Sequence, residues 1–368
     1  MKFIKNFFWI FLLLVIGGYF SVAEAVQCSR SSYLVNAQMP LAVNNLTVGP
    51  DTPNGTVIFR QQFRVGGMLT TFCQASNSSY DVYKKYTYLD LPLTASSWRG
   101  GIFPNGTIYQ TGVQGIGVMM AAENGPLPRE VQTKYRTPAY KPYNHNFKNF
   151  LIDLFFIKIG NIQPGTIKGI NLPTGAISFR APGADILLAR LAITGSINIV
   201  SQTCRVSNVT VPMGQHKIGD KLTGVGKTTE WIDASIRLTN CPRFYGTLND
   251  GNNTYYNYTT GASNTGTFTR NTLGASISPN TSVFDNSKGI LNIKSTTNSA
   301  KGVAIQLAEF SNGNFKDYIE FGSIINYDLN NNSSTTVTIP LRARYIQTES
   351  KVTPGRADAT ATFTLTYK

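Results

Sequence analysis

The sequence predicts an all-β fold, arranged as two immunoglobulin-like β-sandwiches in series. Three observations carry that expectation. Apolar and polar residues alternate at period two through many short segments, turn dipeptides separate those segments, and no segment has the apolar periodicity of an amphipathic helix. Many short strands joined by polar turns, in a chain of 368 residues, fit two sandwiches each large enough for its own core.

The first 25 residues read as a secretory signal. Lys2 and Lys5 form a charged start, Phe7 to Phe20 is mostly apolar, and Ala23-Glu24-Ala25 is a small-residue cleavage site. Residues 26–195 are expected to form the first domain. Within it Val57, Phe59, Phe63 and Val65 alternate along one strand, and Val113 to Met120 reads as a buried strand whose glycines admit a neighbouring backbone. Phe150 to Ile159 is apolar on both faces and is expected to be a central strand. Asn54-Gly55, Asn105-Gly106 and Asn124-Gly125 are turn dipeptides.

A boundary is expected near Ala192–Ser196, with residues 196–368 as the second domain. There Ile232, Ala234, Ile236 and Leu238 alternate with polar residues, as do Val303, Ile305 and Leu307, and then Val337, Ile339, Leu341, Ala343 and Tyr345. The polar stretch Asn249 to Ser278 reads as a long surface excursion. In the last fourteen residues, Ala357, Ala359, Ala361, Phe363, Leu365 and Tyr367 fall on one face and Arg356, Asp358 and four threonines on the other. Only a half-buried strand satisfies that pattern, and it requires a sheet to receive it.

Charged residues make up 14% of the chain, against about 25% in an average soluble protein. The net charge of +14 is dispersed, with no run longer than Lys84-Lys85, so nucleic acid is not an expected partner. An even number of cysteines in an exported chain implies disulfides. Cys28, Cys73, Cys204 and Cys241 allow three connectivities, and the local one, Cys28–Cys73 with Cys204–Cys241, keeps each bond inside one domain. No C-x-x-C spacing exists and only two histidines are present, so no metal or other cofactor is expected. His145 and His216 fall in different halves, no G-x-S-x-G is present, and Gly224-Val-Gly-Lys-Thr-Thr229 lacks the first glycine of a phosphate loop because position 221 is Lys221. The chain is therefore not expected to be an enzyme.

The tail, with Tyr367 penultimate and Gly355 fourteen residues from the end, resembles the subunits of bacterial fimbriae assembled by the chaperone–usher route. Cys204 after the Ile197–Ile199 strand, and Cys241 closing the strand that starts at Trp231, extend the likeness over residues 196–368. The resemblance implies an incomplete pilin domain completed by a donor strand. Its edge is Gly355, Ala357, Ala359, Ala361, Phe363, Leu365 and Tyr367. A periplasmic chaperone, an outer-membrane usher and an adjacent fimbrial subunit are the implied partners. About 170 residues stand where a donor extension would be, which implies a place at the fimbrial tip on the cell surface, with the first domain as a lectin for host-cell glycans.

Leu89-Asp90-Leu91-Pro92 through Tyr109-Gln-Thr-Gly-Val-Gln-Gly-Ile-Gly117 is similar to the fimbrial tip lectins that bind N-acetylglucosamine. That likeness implies sugar contacts at Glu123, Asn124 and Gly125, and in the loop Tyr140 to Asn149. In that family the disulfide reaches into this second loop, which Cys28–Cys73 would not. The residues themselves point to the same region. Prolines stiffen Glu123 to Asn149, Tyr135, Tyr140 and Tyr143 offer ring faces, and Asn144, Asn146 and Asn149 offer planar amides beside His145. Packing of these side chains onto the sandwich is the alternative. Trp98, in Ser-Ser-Trp-Arg-Gly-Gly, is a second candidate. Two other functions remain open on sequence: a structural tip or initiator subunit that contacts protein, and a secreted β-sandwich glycosidase.

Overall fold

A computed structural model describes residues 25–134, 136–332 and 334–368. The expected signal segment and Tyr135 lie outside them. Apart from three short 3-10 turns, the regular structure is β throughout the described residues.

Two packed sheets make the first body. In one, Tyr109–Gln110, Ile116–Ala122, Tyr143–Lys158 and Val57–Cys73 lie side by side, and Cys28–Arg30 pairs with the far end of Val57–Cys73. The other runs Val35–Pro40, Ala184–Thr194, Thr174–Ala181, Tyr83–Asp90 and Arg129–Gln132. Tyr143–Lys158 pairs with Val57–Cys73 along its length and, within its doubly apolar part, with Ile116–Ala122 over Asp153 to Lys158. Phe59 stacks on Phe156 at 5.1 Å between ring centroids, and Phe63, Ile152, Leu154, Ile177 and Phe179 close the core around them. Each such side chain stabilises the sandwich by about 1.5–3 kcal/mol on burial. Ile116–Ala122 is buried along its whole length, and a side chain at Gly117 would collide with Ile108. Ser196–Val200, which the sequence reading places at the start of the second domain, pairs with Gly165–Lys168 and Asn45–Thr47, and Ile197 and Ile199 pack in the first core.

The second body has its own core, built on Ile236, Leu238, Leu273, Leu291, Leu341 and Tyr367. The Ile232–Leu238 segment is broken between Ile232–Asp233 and Ile236–Thr239, and Val337–Tyr345 is broken at Pro340, which cannot donate to a ladder. The C-terminal strand spans Ala361–Tyr367 and not the full tail. Upstream of it the chain is held by an isolated parallel bridge, Arg356 N–H to Asn298 O with Ala300 N–H to Arg356 O, and by scattered bonds from Lys294 N–H to Asp358 O and from the Tyr345 hydroxyl to Ala357 O. Gly355 is needed there because a Cβ would overlap the backbone of Ser299 and Ala300. Ala361 is exposed, so the half-buried face is carried by Ala357, Ala359, Phe363, Leu365 and Tyr367.

Asn249–Ser278 is not a surface excursion. Tyr255–Asn257 and Ser263–Asn264 form a hairpin that adds to the first body's sheet, Tyr255 pairing in parallel with Gln62. Asn271–Pro279 is the partner of the C-terminal strand. Both disulfides are the local ones, Cys28–Cys73 and Cys204–Cys241.

Candidate functional site

Glu123 and Asn124 form the two-residue turn of a hairpin in which Ala122 faces Gly125. Both have positive φ, 48° and 64°, the pair of conformations a tight primed turn demands. The turn residues are thus Glu123-Asn124, one position earlier than the Asn-Gly dipeptide suggests. The Glu123 carboxylate accepts from Lys84 Nζ at 2.6 Å and from the Tyr86 hydroxyl at 3.0 Å. The bond from Lys84 lowers the Glu123 pKa, while burial raises that of Tyr86. Glu123 therefore ties the hairpin to the opposite sheet, and Asn124 stands exposed beside it.

Tyr140 to Asn149 leads into the long strand on the side to which this turn points. Ala121 is opposite Asp153, so Glu123 projects to about the level of residue 151, near Asn149, with Tyr143 roughly 26 Å farther along at ~3.3 Å per residue. Tyr140 has φ 60° and donates its N–H to Ser76 O at 2.7 Å, leaving the ring exposed. Tyr143 starts the strand opposite Cys73, beside the Cys28–Cys73 disulfide. His145 is buried among Tyr143 (ring centroids 4.9 Å), Phe179 (5.0 Å) and Tyr80. Burial holds its pKa down at about 4.

Strand alternation separates the remaining candidates. Tyr143, His145 and Phe147 face one side and Asn144 and Asn146 the other, where Asn146 accepts from the Thr70 hydroxyl at 3.0 Å. Asn149 sits in a bulge with φ 56°. Trp98 packs elsewhere, in a small cluster with Phe103, Ile108 and Ile157. A Cβ at Gly100 would press on its ring. The candidates thus do not converge on one pocket.

The concave feature of this end is a groove of 860 Å³ that contains none of them. Its walls are the segment Ser76–Tyr83, Lys85, Arg136, and the turn from Arg180 to Asp185. Tyr140 borders it through its bond to Ser76. Arg136 pairs with Asp81 at 3.1 Å, Arg180 with Glu130 and Lys85 with Asp185. No local sequence signal announces this grouping, because four separate segments supply the six charges.

The second candidate site is the C-terminal edge. Ala361–Tyr367 pairs with Asn271–Pro279 on one side, and no strand among the described residues pairs along the other. Thr272 and Lys368 exchange both backbone bonds, so the N–H and C=O groups of Phe363, Leu365 and Tyr367 point to the open side. The pair on Tyr367 is taken by Asp51: Tyr367 N–H donates to Asp51 Oδ2 at 2.8 Å and Asp51 N–H to Tyr367 O at 3.1 Å. Phe363 and Leu365, half-buried, keep a backbone edge for an incoming strand.

The chain thus forms two β-bodies, the second ending in an open-edged strand. The family model described as fimbrial protein matches residues 191–368. Over 346 residues the chain is 25% identical to a fimbria adhesin protein of Klebsiella pneumoniae, covering 92% of each. Among solved structures it is similar to the CupB6 tip adhesin from Pseudomonas aeruginosa (14% identity, 93% of this chain and 95% of that one, TM-score 0.36). A further similarity is to the receptor binding domain of the adhesin MrkD1P of Klebsiella pneumoniae (18% identity, 50% of this chain and 100% of that one, TM-score 0.34). The sequence similarity to a fimbria adhesin thus runs over nearly the whole chain.

Proposed function

We propose that the chain is the tip adhesin of a chaperone–usher fimbria. Its first body binds host-cell glycans and its second body accepts a donor strand. The observation that carries this reading is the open side of Ala361–Tyr367. An edge with half-buried Phe363 and Leu365 and outward backbone groups invites a further strand. A periplasmic chaperone covers it first, and at the outer-membrane usher an adjacent subunit replaces the chaperone, each by strand addition. The first body has no counterpart in a plain pilin fold and is left to meet the host cell. The chain works by binding, without a catalytic step.

Strand addition tests the reading. In the full chain, an extended peptide with alternating apolar residues is expected to raise the melting temperature, and the periplasmic chaperone to co-purify. Leu365→Asp is expected to abolish both, with the first body still folded by NMR. A wild-type chain that purifies alone as a stable monomer and ignores chaperone and peptide would end the proposal.

A further inference from the structure

We propose that the groove between Ser76–Tyr83 and Arg180–Asp185 is the receptor site of this adhesin, and that its ligand is an acidic glycan, a sugar bearing a carboxylate. The inference rests on the glycan-binding reading above and gives it a place and a ligand class. At 860 Å³ the groove falls within the roughly 300–1,000 Å³ range of small-ligand sites. A second groove of 610 Å³ continues it past Val26 and Asp185 to Ser29, Phe72 and Gln74, which makes room for more than one sugar ring.

The charges in the groove balance, three cations against three carboxylates, yet they are not equally presented. Arg136 is 62% exposed and its partner Asp81 32%. Arg180 is 50% exposed and Glu130 35%. Only the Lys85–Asp185 pair is reversed. In the two arginine pairs the carboxylate is the more buried partner and the guanidinium the more exposed one. Arg136 is fixed further by donating Nη2 to Ser79 O at 3.1 Å.

A guanidinium so held is suited to a planar carboxylate in bidentate fashion. The hydroxyls of Ser76 and Ser78 and the Tyr83 ring alongside suit the rest of a sugar. The surrounding field has the same sense. Residues 26–195 carry fifteen Lys and Arg against seven Asp and Glu, a surplus of eight positive charges. Such a surplus attracts an anionic ligand.

Carboxylate sugars come from two sources, terminal sialic acid and uronic acid polymers, and the test separates them. The full chain is titrated calorimetrically with sialyllactose and with a hyaluronan tetrasaccharide, against lactose and an N-acetylglucosamine oligomer as neutral counterparts. One acidic probe is expected to bind about tenfold or more tighter than its neutral counterpart, and to weaken with added salt. Arg136→Gln and Arg180→Gln are each expected to weaken it about tenfold. The double exchange Arg180→Glu with Glu130→Arg keeps an ion pair, and so the fold, and is expected to lose binding as well. Equal binding of neutral and acidic probes, or indifference to both arginine substitutions, would overturn the acidic-glycan site. Neutral-sugar binding abolished by Asn124→Ala or Tyr143→Ala would move the site and leave the adhesin reading standing. No binding of any sugar would remove both.

Discussion

His145 shows how one side chain can set a property of the domain. It is enclosed by Tyr80, Tyr143 and Phe179, with no carboxylate to stabilise its cation. Its folded pKa is about 4, against an ordinary value of 6.5. Between those values the unfolded chain binds more protons than the folded one, so stability is flat above pH 6.5 and declines as pH falls toward 4. The loss amounts to about 3 kcal/mol. Thermal melts of the wild-type chain at pH 7 and pH 4.5 are expected to show that decline, and His145→Phe to flatten it. An equal slope in the variant would assign the pH dependence to other groups. Glu123 has the opposite character: Lys84 and Tyr86 hold it as a carboxylate that braces the hairpin turn.

At the scale of elements, alternation was the legible signal, and it reported faces better than lengths. It placed the central strand at Phe150 to Ile159 and the inward set Phe363, Leu365 and Tyr367, but the strand begins already at Tyr143, inside the stretch read as a loop. It overran in the tail, because residues 356–360 keep the alternating burial while making only one isolated bridge and scattered bonds, and a ladder is decided by partners. It was overlooked in Leu273, Ala275 and Ile277, where flanking Asn, Thr and Gly masked a core strand. The candidate amides suffered from the same rule: in an extended chain, Tyr143 and Asn144 cannot share a pocket. The groove was invisible because its charges are assembled only by the fold. Cysteine pairing was legible, since the local connectivity is the one formed. Replacing Cys204 and Cys241 by serine opens a loop spanning 37 residues, and on the chain-entropy account is expected to cost about 4 kcal/mol of stability. Denaturant titration of the full chain measures it, and a loss below about 1 kcal/mol would mean that the unfolded chain is already constrained.

Across the whole molecule the two bodies are joined by more than their linker. The Tyr255–Asn257 strand extends the first sheet, with Arg64 over the Tyr255 ring at 4.0 Å. Buried Asn271 donates to Thr47 O at 3.0 Å and accepts from Gly246 N–H at 3.0 Å, which knits residue 47 to the second body. Gly49 lies so close to the Tyr367 carbonyl that any side chain would collide with it. Asp51 completes the contact. Asp51→Ala removes the carboxylate that receives the Tyr367 amide, and Gly49→Val forces the backbones apart. Both are expected to increase the spread of interdomain geometries in small-angle scattering, with each body's melting unchanged. Identical scattering in both variants would show that the Tyr255 hairpin alone fixes the arrangement.

The bond between Asp51 and Tyr367 also defines a mechanical route. A fibre anchored through the Ala361–Tyr367 strand and a receptor held by the first body would pull in opposite directions on this chain. The tension would be delivered to the last residue of that strand, where Asp51 grips both its amide and its carbonyl. Load applied by flow would then reach the join between the bodies before it reached either core.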